Sequence, residues 1–109
     1  MARSRQFPAP WLTCEAVLSE AFFLVGAAGR KALVGLLRRG LVEVPFDLGS
    51  ELEPVLRLID KYANLPMSLA DACLVRMTET LADPLVLTTD ADFRIYRRHS
   101  RQAIPCLVP

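Results

Sequence analysis

The sequence predicts an α/β fold with a short parallel sheet. Segments whose apolar residues recur at three- and four-residue spacing, as in half-buried helices, alternate with short apolar runs typical of strands. This alternation favours helices packed against a parallel sheet. The chain has 109 residues, of which 52% are hydrophobic, and this size suits one domain with its own core.

The beginning of the chain is expected to differ from the rest. Residues 1–12 combine charges with prolines, so we predict an N-terminal arm there and the folded domain over residues 13–109. Thr13 is a good N-cap for a first helix over residues 14–27, which ends in a glycine-containing region.

The remaining elements follow from apolar periodicity and from helix-breaking residues. In chain order they are a helix over 30–39 ended by Gly40, a strand over 41–45, a helix over 50–62, a helix over 68–81, and strands over 85–88 and 104–108. Three strands make a thin sheet for four helices, which favours completion of the sheet by another chain.

Composition restricts the possible compartment. The three cysteines lie far apart without metal-type spacing, which predicts buried, reduced thiols. The most hydrophobic run, residues 21–28, is too short to span a bilayer, and no apolar signal core follows the N-terminus. We therefore expect a soluble cytoplasmic protein with no membrane partner.

Asp71 is the first candidate for chemistry. With Ser68 as N-cap it occupies the third helical position, where its carboxylate can accept the amide of the cap residue and favour the helix dipole. That capping role is one interpretation. Metal binding is the other, because the small neighbours Ala70 and Ala72 leave room for other backbone or for a large anion.

Asp90 and Asp92 follow the predicted strand over 85–88. Ligands of open α/β sheets bind just beyond the carboxyl ends of strands, which makes Asp90 a candidate metal ligand and Asp92 a candidate for a second metal position. The alternative is an Asp-capped turn into a following helix, with Phe93 as its anchor.

Glu20 is the third acidic candidate. It lies in the middle of the first predicted helix among apolar residues, and a carboxylate held against a core is costly unless it is paired or bound to a metal. The alternative is a solvated stripe shared with Ser19 and Gly26.

Basic residues cluster directly after Phe93. Arg94, Arg97 and Arg98 are candidates for contacts with RNA phosphates, because they begin one turn from Asp90. A solvated helix face is the alternative interpretation of this run.

The motifs resemble those of the PIN-domain nucleases, most closely the toxins of VapC-type toxin–antitoxin pairs. The resemblance is carried by Ser68-Leu-Ala-Asp71-Ala-Cys, by Leu87-Thr-Thr-Asp90-Ala-Asp92-Phe93 with Tyr96-Arg97, and by the segment around Glu20. It covers about residues 10–108 and implies a PIN-like three-layer αβα fold.

The resemblance also implies a function. Glu20, Asp71 and Asp90 correspond to the catalytic acids that bind Mg²⁺ or Mn²⁺, with Asp92 as an auxiliary ligand. The implied reaction is hydrolysis of RNA phosphodiester bonds by metal-activated water, and the implied partners are an RNA substrate and an antitoxin protein.

One segment departs from the family pattern. Members of the family begin with a strand that carries a further metal-binding Asp, whereas residues 1–12 of this chain contain no Asp. We therefore expect the N-terminal strand and one ligand to be missing. Unpaired strand edges favour a homo-oligomer or strand exchange.

Two readings from other classes compete with the nuclease. A catalytically impaired PIN-like module would bind an antitoxin or a copy of itself, with the acids as remnants. A receiver-like phosphoacceptor domain needs an acidic pair after its first strand and a Lys at a later strand end, and the sequence has neither pattern.

Overall fold

The computed structural model describes residues 10–81, 86–87 and 95–107. Within these residues it is a mixed α/β structure with four helices and six two-residue strands, which confirms the predicted α/β class. The elements are β1 (Trp11–Leu12), α1 (Glu15–Leu24), α2 (Gly26–Arg38), β2 (Val42–Glu43), α3 (Leu52–Lys61), α4 (Leu69–Thr80), β3 (Val86–Leu87), β4 (Arg97–Arg98), β5 (Gln102–Ala103) and β6 (Cys106–Leu107). The chain divides into two compact units, Met1–Phe46 and Asp47–Pro109.

A short parallel ladder begins the first unit. β1 pairs with β2 so that Trp11 lies opposite Val42 and Leu12 opposite Glu43. The amide of Thr13 extends this ladder by donating to the Glu43 carbonyl at 3.0 Å. The arm predicted over residues 1–12 therefore ends in a strand, and residues 1–9 lie outside the described residues.

The first predicted helix is present, but both of its predicted boundaries, 14 and 27, are wrong. α1 begins after Cys14, which replaces Thr13 as N-cap because Thr13 continues the strand ladder. α1 ends at Leu24, and α2 begins at Gly26, four residues before the predicted start. Gly26 has a φ of 71°, a left-handed conformation that glycine adopts without steric cost and that separates the two helices.

The end of α2 follows the prediction for Gly40. Gly40 has a φ of 71°, and its amide donates to the Leu37 carbonyl at 3.1 Å. The Leu41 amide donates to the Leu36 carbonyl at 3.0 Å. These two bonds form a Schellman motif, which satisfies the last carbonyls of the helix and directs the chain into β2.

Helices α3 and α4 form the core of the second unit. Val55 and Leu58 are the buried residues of α3. α4 contributes a longer buried set, namely Ala70, Ala72, Cys73, Val75, Met77 and Thr78. Because residues on most sides of α4 are buried, this helix lies at the centre of its unit.

A charged cluster fixes the outer side of this core. Arg76 Nε donates to Glu51 Oε2 at 2.7 Å, and Arg76 Nη1 lies 3.3 Å from Glu79 Oε1. The hydrogen bond with Glu51 is the main reason why the pKa of Arg76 is raised above its usual value. The other oxygen of Glu79, Oε2, accepts the amide of His99 at 2.6 Å.

The segment after Phe93 differs from the sequence expectation. One interpretation of the arginine run was a solvated helix face, but the described residues 95–107 form strands and turns. β4 and β5 form an antiparallel hairpin, with Arg97 opposite Ala103 and Arg98 opposite Gln102. The reason is Tyr96: its side chain is fully buried, and its ring packs edge-on against Tyr62 with centroids 5.0 Å apart.

The predicted strands near the end of the chain are confirmed in shortened form. β3 lies within the predicted strand over 85–88, and β6 lies within the one over 104–108. They pair in parallel, with Val86 opposite Cys106 and Leu87 opposite Leu107. Both parallel ladders thus consist of two strands. The described residues form two-stranded sheets, and the three-layer αβα arrangement implied by the resemblance is not confirmed by them.

Among the residues that the structure describes, no helix combines the length and apolar character needed to traverse a bilayer.

Replacement of two helix α2 glycines is expected to have opposite effects. A Cβ at Gly29 would lie 2.5 Å from Val25 Cβ, so Gly29→Ala forces the junction of α1 and α2 apart. A Cβ at Gly35 would meet only the end of the Arg39 side chain, at 3.4 Å. Gly35→Ala should therefore raise the free energy of unfolding by about 0.5–1 kcal/mol, since alanine favours helices.

Gly29→Ala should instead lower the free energy of unfolding by about 1 kcal/mol, because overpacking outweighs the helix preference. Urea unfolding followed by circular dichroism measures both variants against the unmodified chain. Equal stabilisation by the two substitutions would contradict the close approach of Gly29 and Val25.

Candidate functional site

Asp71 lies at the start of α4 in a reciprocal capping box. Its amide donates to Ser68 Oγ at 3.0 Å, and its Oδ2 accepts the Ser68 amide at 3.1 Å. Ser68 is thus the N-cap, as predicted, with φ and ψ in the extended region. Two amides that the helix leaves without intrahelical partners are satisfied in this way.

The capping role leaves part of the Asp71 carboxylate available. Only Oδ2 takes part in the capping box, and within the described part of the chain no hydrogen bond reaches Oδ1. A carboxylate has two oxygens with several lone pairs, so one oxygen can hold the cap while the other binds a ligand. The two interpretations of Asp71 are therefore compatible with each other.

The surroundings of Asp71 are small and rigid. Ala70 and Ala72 are 3% and 0% exposed, so both methyl groups face the core. Asp71 itself is half-buried. The packed helix therefore holds the carboxylate in a fixed position while leaving it reachable from solvent.

Glu20 lies on an open surface of the first unit. It is exposed, and together with Ser19, Phe23 and Leu24 it lines a shallow depression on α1. Every residue of α1 is described, and none of them is buried. The desolvation argument for Glu20 consequently does not apply in this chain, and its exposure matches the solvated stripe with Ser19 and Gly26.

Asp90, Asp92 and Arg94 lie outside the described residues. The strand that was expected to precede Asp90 is present as β3, which ends at Leu87.

The acids do not form a cluster that the structure describes. Glu20 belongs to the first unit and Asp71 to the second. Over residues 10–81, 86–87 and 95–107, no group of three or more His, Cys, Asp or Glu could hold a metal ion. Carboxylate oxygens are the donors that Mg²⁺ and Mn²⁺ prefer, so the chemistry of the candidate set fits such an ion. The geometry of a complete ligand set is not among the described features.

The two arginines of β4 bind backbone carbonyls. Arg97 Nη1 donates to the carbonyls of Ile95 and Tyr96, both at 3.1 Å. Arg98 Nη2 donates to the Leu81 carbonyl at 2.7 Å, next to the end of α4. Both side chains thus hold the hairpin in position.

Sequence reasoning did not identify the polar groups that hold the β4–β5 turn. Arg76 and Glu79 are three residues apart on one helix, and this spacing could have predicted their ion pair. Glu51 lies 25 residues before Arg76, and Tyr62 lies 35 residues before the Arg97 amide that donates to its hydroxyl. No local pattern in a sequence predicts pairs at such separations.

Comparison with known proteins leaves the family open: no family model, no curated protein and no solved structure matches the chain.

Ser68 provides a direct test of the capping box. Ser68→Ala removes the acceptor of the Asp71 amide and should lower the free energy of unfolding by about 1 kcal/mol. Ser68→Thr keeps the hydroxyl and should stay within about 0.5 kcal/mol of the unmodified chain. Thermal and urea unfolding measure both, and equal stability of all three chains would contradict the capping box.

Proposed function

We propose that the chain is a divalent-metal-dependent ribonuclease of the PIN-domain toxin type. The observation that carries the proposal is the Asp71 carboxylate, which is fixed through one oxygen and accessible through the other. This combination favours a metal ligand, because a carboxylate that is already held in place loses less conformational entropy when it binds an ion. The resemblance of the Asp71 and Asp90 motifs to this family gives the reaction class.

In this proposal Glu20, Asp71 and Asp90 are the metal ligands, and Asp92 is an auxiliary ligand. A bound Mg²⁺ or Mn²⁺ ion supplies activated water and offsets the charge of the scissile phosphate. Without the ion, gathered carboxylates repel one another, which raises the free energy of the assembled site.

Asp71→Asn is the decisive variant. It keeps an oxygen for the capping box but removes the negative charge, so RNA cleavage in Mg²⁺ or Mn²⁺ should fall at least about 100-fold while the chain stays folded. The measurement is cleavage of a fluorescent RNA by purified protein, repeated with EDTA. Asp90→Asn should have the same effect.

Asp60→Asn is the matched control. Asp60 is an exposed acid of α3 in the same unit, and its removal changes the net charge by the same amount. Its cleavage rate should equal that of the unmodified chain. Equal cleavage by Asp71→Asn and Asp60→Asn would exclude the nuclease assignment, as would cleavage that persists in EDTA.

A second candidate function is protein–protein interaction by a catalytically impaired module. Phe23, Leu24 and Val25 are 87%, 76% and 42% exposed at the end of α1. Large exposed apolar side chains that adjoin one another are typical of interaction sites. The two-residue parallel ladders point the same way, because parallel strands are usually covered within larger sheets. Self-association and the binding of an antitoxin helix both suit such a surface.

Phe23→Ser tests the self-association form of this candidate. The unmodified chain should form dimers or larger oligomers at micromolar concentration, and loss of the ring should weaken association at least about tenfold. Analytical ultracentrifugation over a concentration series measures the constants. Leu56→Ser, at a 43% exposed position of α3, is the control and should leave association unchanged. A monomeric unmodified chain would contradict self-association.

A further inference from the structure

The β4–β5 hairpin separates the basic residues of its segment into two groups. The guanidinium groups of Arg97 and Arg98 donate to the carbonyls of Ile95, Tyr96 and Leu81. Both side chains are half-buried. A phosphate therefore has less access to them than to an exposed side chain, and turning them outward would break the hydrogen bonds to these carbonyls.

Arg101 has the opposite environment. It lies in the turn between β4 and β5, its side chain is exposed, and in the described part of the chain its guanidinium group has no hydrogen-bond or ion-pair partner. Its backbone amide donates to the Arg98 carbonyl at 3.2 Å, which closes the turn. Five N–H donors therefore project from a backbone that is already fixed.

The turn is held rigidly from the side of α4. His99 and Ser100 have φ values of 51° and 64°, a left-handed conformation that is unfavourable for both residues. The Glu79 carboxylate accepts the His99 amide at 2.6 Å and is itself tied to Arg76. Because Glu79 accepts the His99 amide and is also bound to Arg76, it holds the turn in this conformation, and Arg101 keeps its exposed position directly after His99 and Ser100.

We propose that Arg101 is a phosphate contact of the β4–β5 hairpin for single-stranded RNA, and that Arg97 and Arg98 are positioning residues that hold the hairpin. The inference rests on the proposed function, since that function supplies the RNA. An exposed arginine without an internal partner gains a phosphate without giving up an existing hydrogen bond. Arg97 and Arg98 are half-buried, and turning outward would break their hydrogen bonds to carbonyls.

The experiment measures RNA binding without cleavage. Fluorescence anisotropy follows a labelled single-stranded RNA of twelve nucleotides, roughly the span of one binding groove, in EDTA and at several salt concentrations. Arg101→Gln should weaken binding roughly three- to tenfold and reduce the salt dependence by about 0.7 in log–log slope, the value for one lost phosphate contact. Arg101→Lys should retain most of the affinity, because a phosphate contact needs the positive charge.

Arg57→Gln is the matched control. Arg57 is on α3 with a side chain 73% exposed, and its removal changes the net charge equally. Its RNA affinity should be that of the unmodified chain. Equal losses in Arg57→Gln and Arg101→Gln would overturn the proposal, because the effect would then depend on net charge alone. Arg98→Gln should lower the melting temperature, whereas Arg101→Gln should not.

Failure of the nuclease proposal gives a different result. If the chain binds RNA through Arg101 but does not cleave it in Mg²⁺, the role of Arg101 is supported and the nuclease proposal is contradicted. An unmodified chain that does not bind the RNA would overturn the inference whatever its cleavage rate with other substrates. Unchanged RNA affinity in Arg101→Gln, with weaker binding to vesicles of anionic lipid, would make the turn a membrane contact and overturn it as well.

Discussion

The arrangement of the second unit depends on Arg76. Its guanidinium group joins Glu51, at the residue before α3, to Glu79 on its own helix, and Glu79 holds the His99 amide in the β4–β5 turn. Three separate parts of the chain therefore meet through one side chain. The side chains of Arg76 and Glu51 are each 27% exposed, which leaves enough contact with water to avoid the full cost of burying the charges.

Apolar contacts lie next to this cluster. The buried face of α4 meets Val55 and Leu58 of α3, and the buried Tyr96 ring packs against Tyr62. The Tyr62 hydroxyl accepts the Arg97 amide at 2.9 Å. Apolar burial stabilises the pair of helices, whereas the polar contacts fix the direction in which the following hairpin leaves.

The first unit is stabilised in a different way. α1 and α2 are fully described, and neither contains a buried residue. Their order comes from backbone geometry, namely the ladder of β1 with β2, the left-handed Gly26 and the Schellman motif at Gly40. Such bonds specify local direction but bury little apolar area. Exposed Phe23 and Leu24 are the result, in contrast to the buried core of the second unit.

The sequence by itself determined the elements whose signals are local. Ser68 and Asp71 have the spacing of a capping box, Gly40 has the left-handed freedom that ends α2, and the apolar runs before Asp90 and after Ile104 form β3 and β6. Each depends on residues within one or two turns of one another, so the chain carries the information in a short stretch.

Only the tertiary structure decided the features that depend on distant residues. The arginine segment is a hairpin because Tyr96 packs on Tyr62 and because Glu79 holds the His99 amide. Thr13 is not the N-cap of α1, because it continues the β1–β2 ladder, in which its amide donates to the Glu43 carbonyl. Whether Glu20 is buried likewise depended on what packs against α1, and no periodicity within α1 encodes that partner. A distant contact therefore decided that Arg98 is held at the Leu81 carbonyl, whereas Arg101 in the same hairpin is exposed.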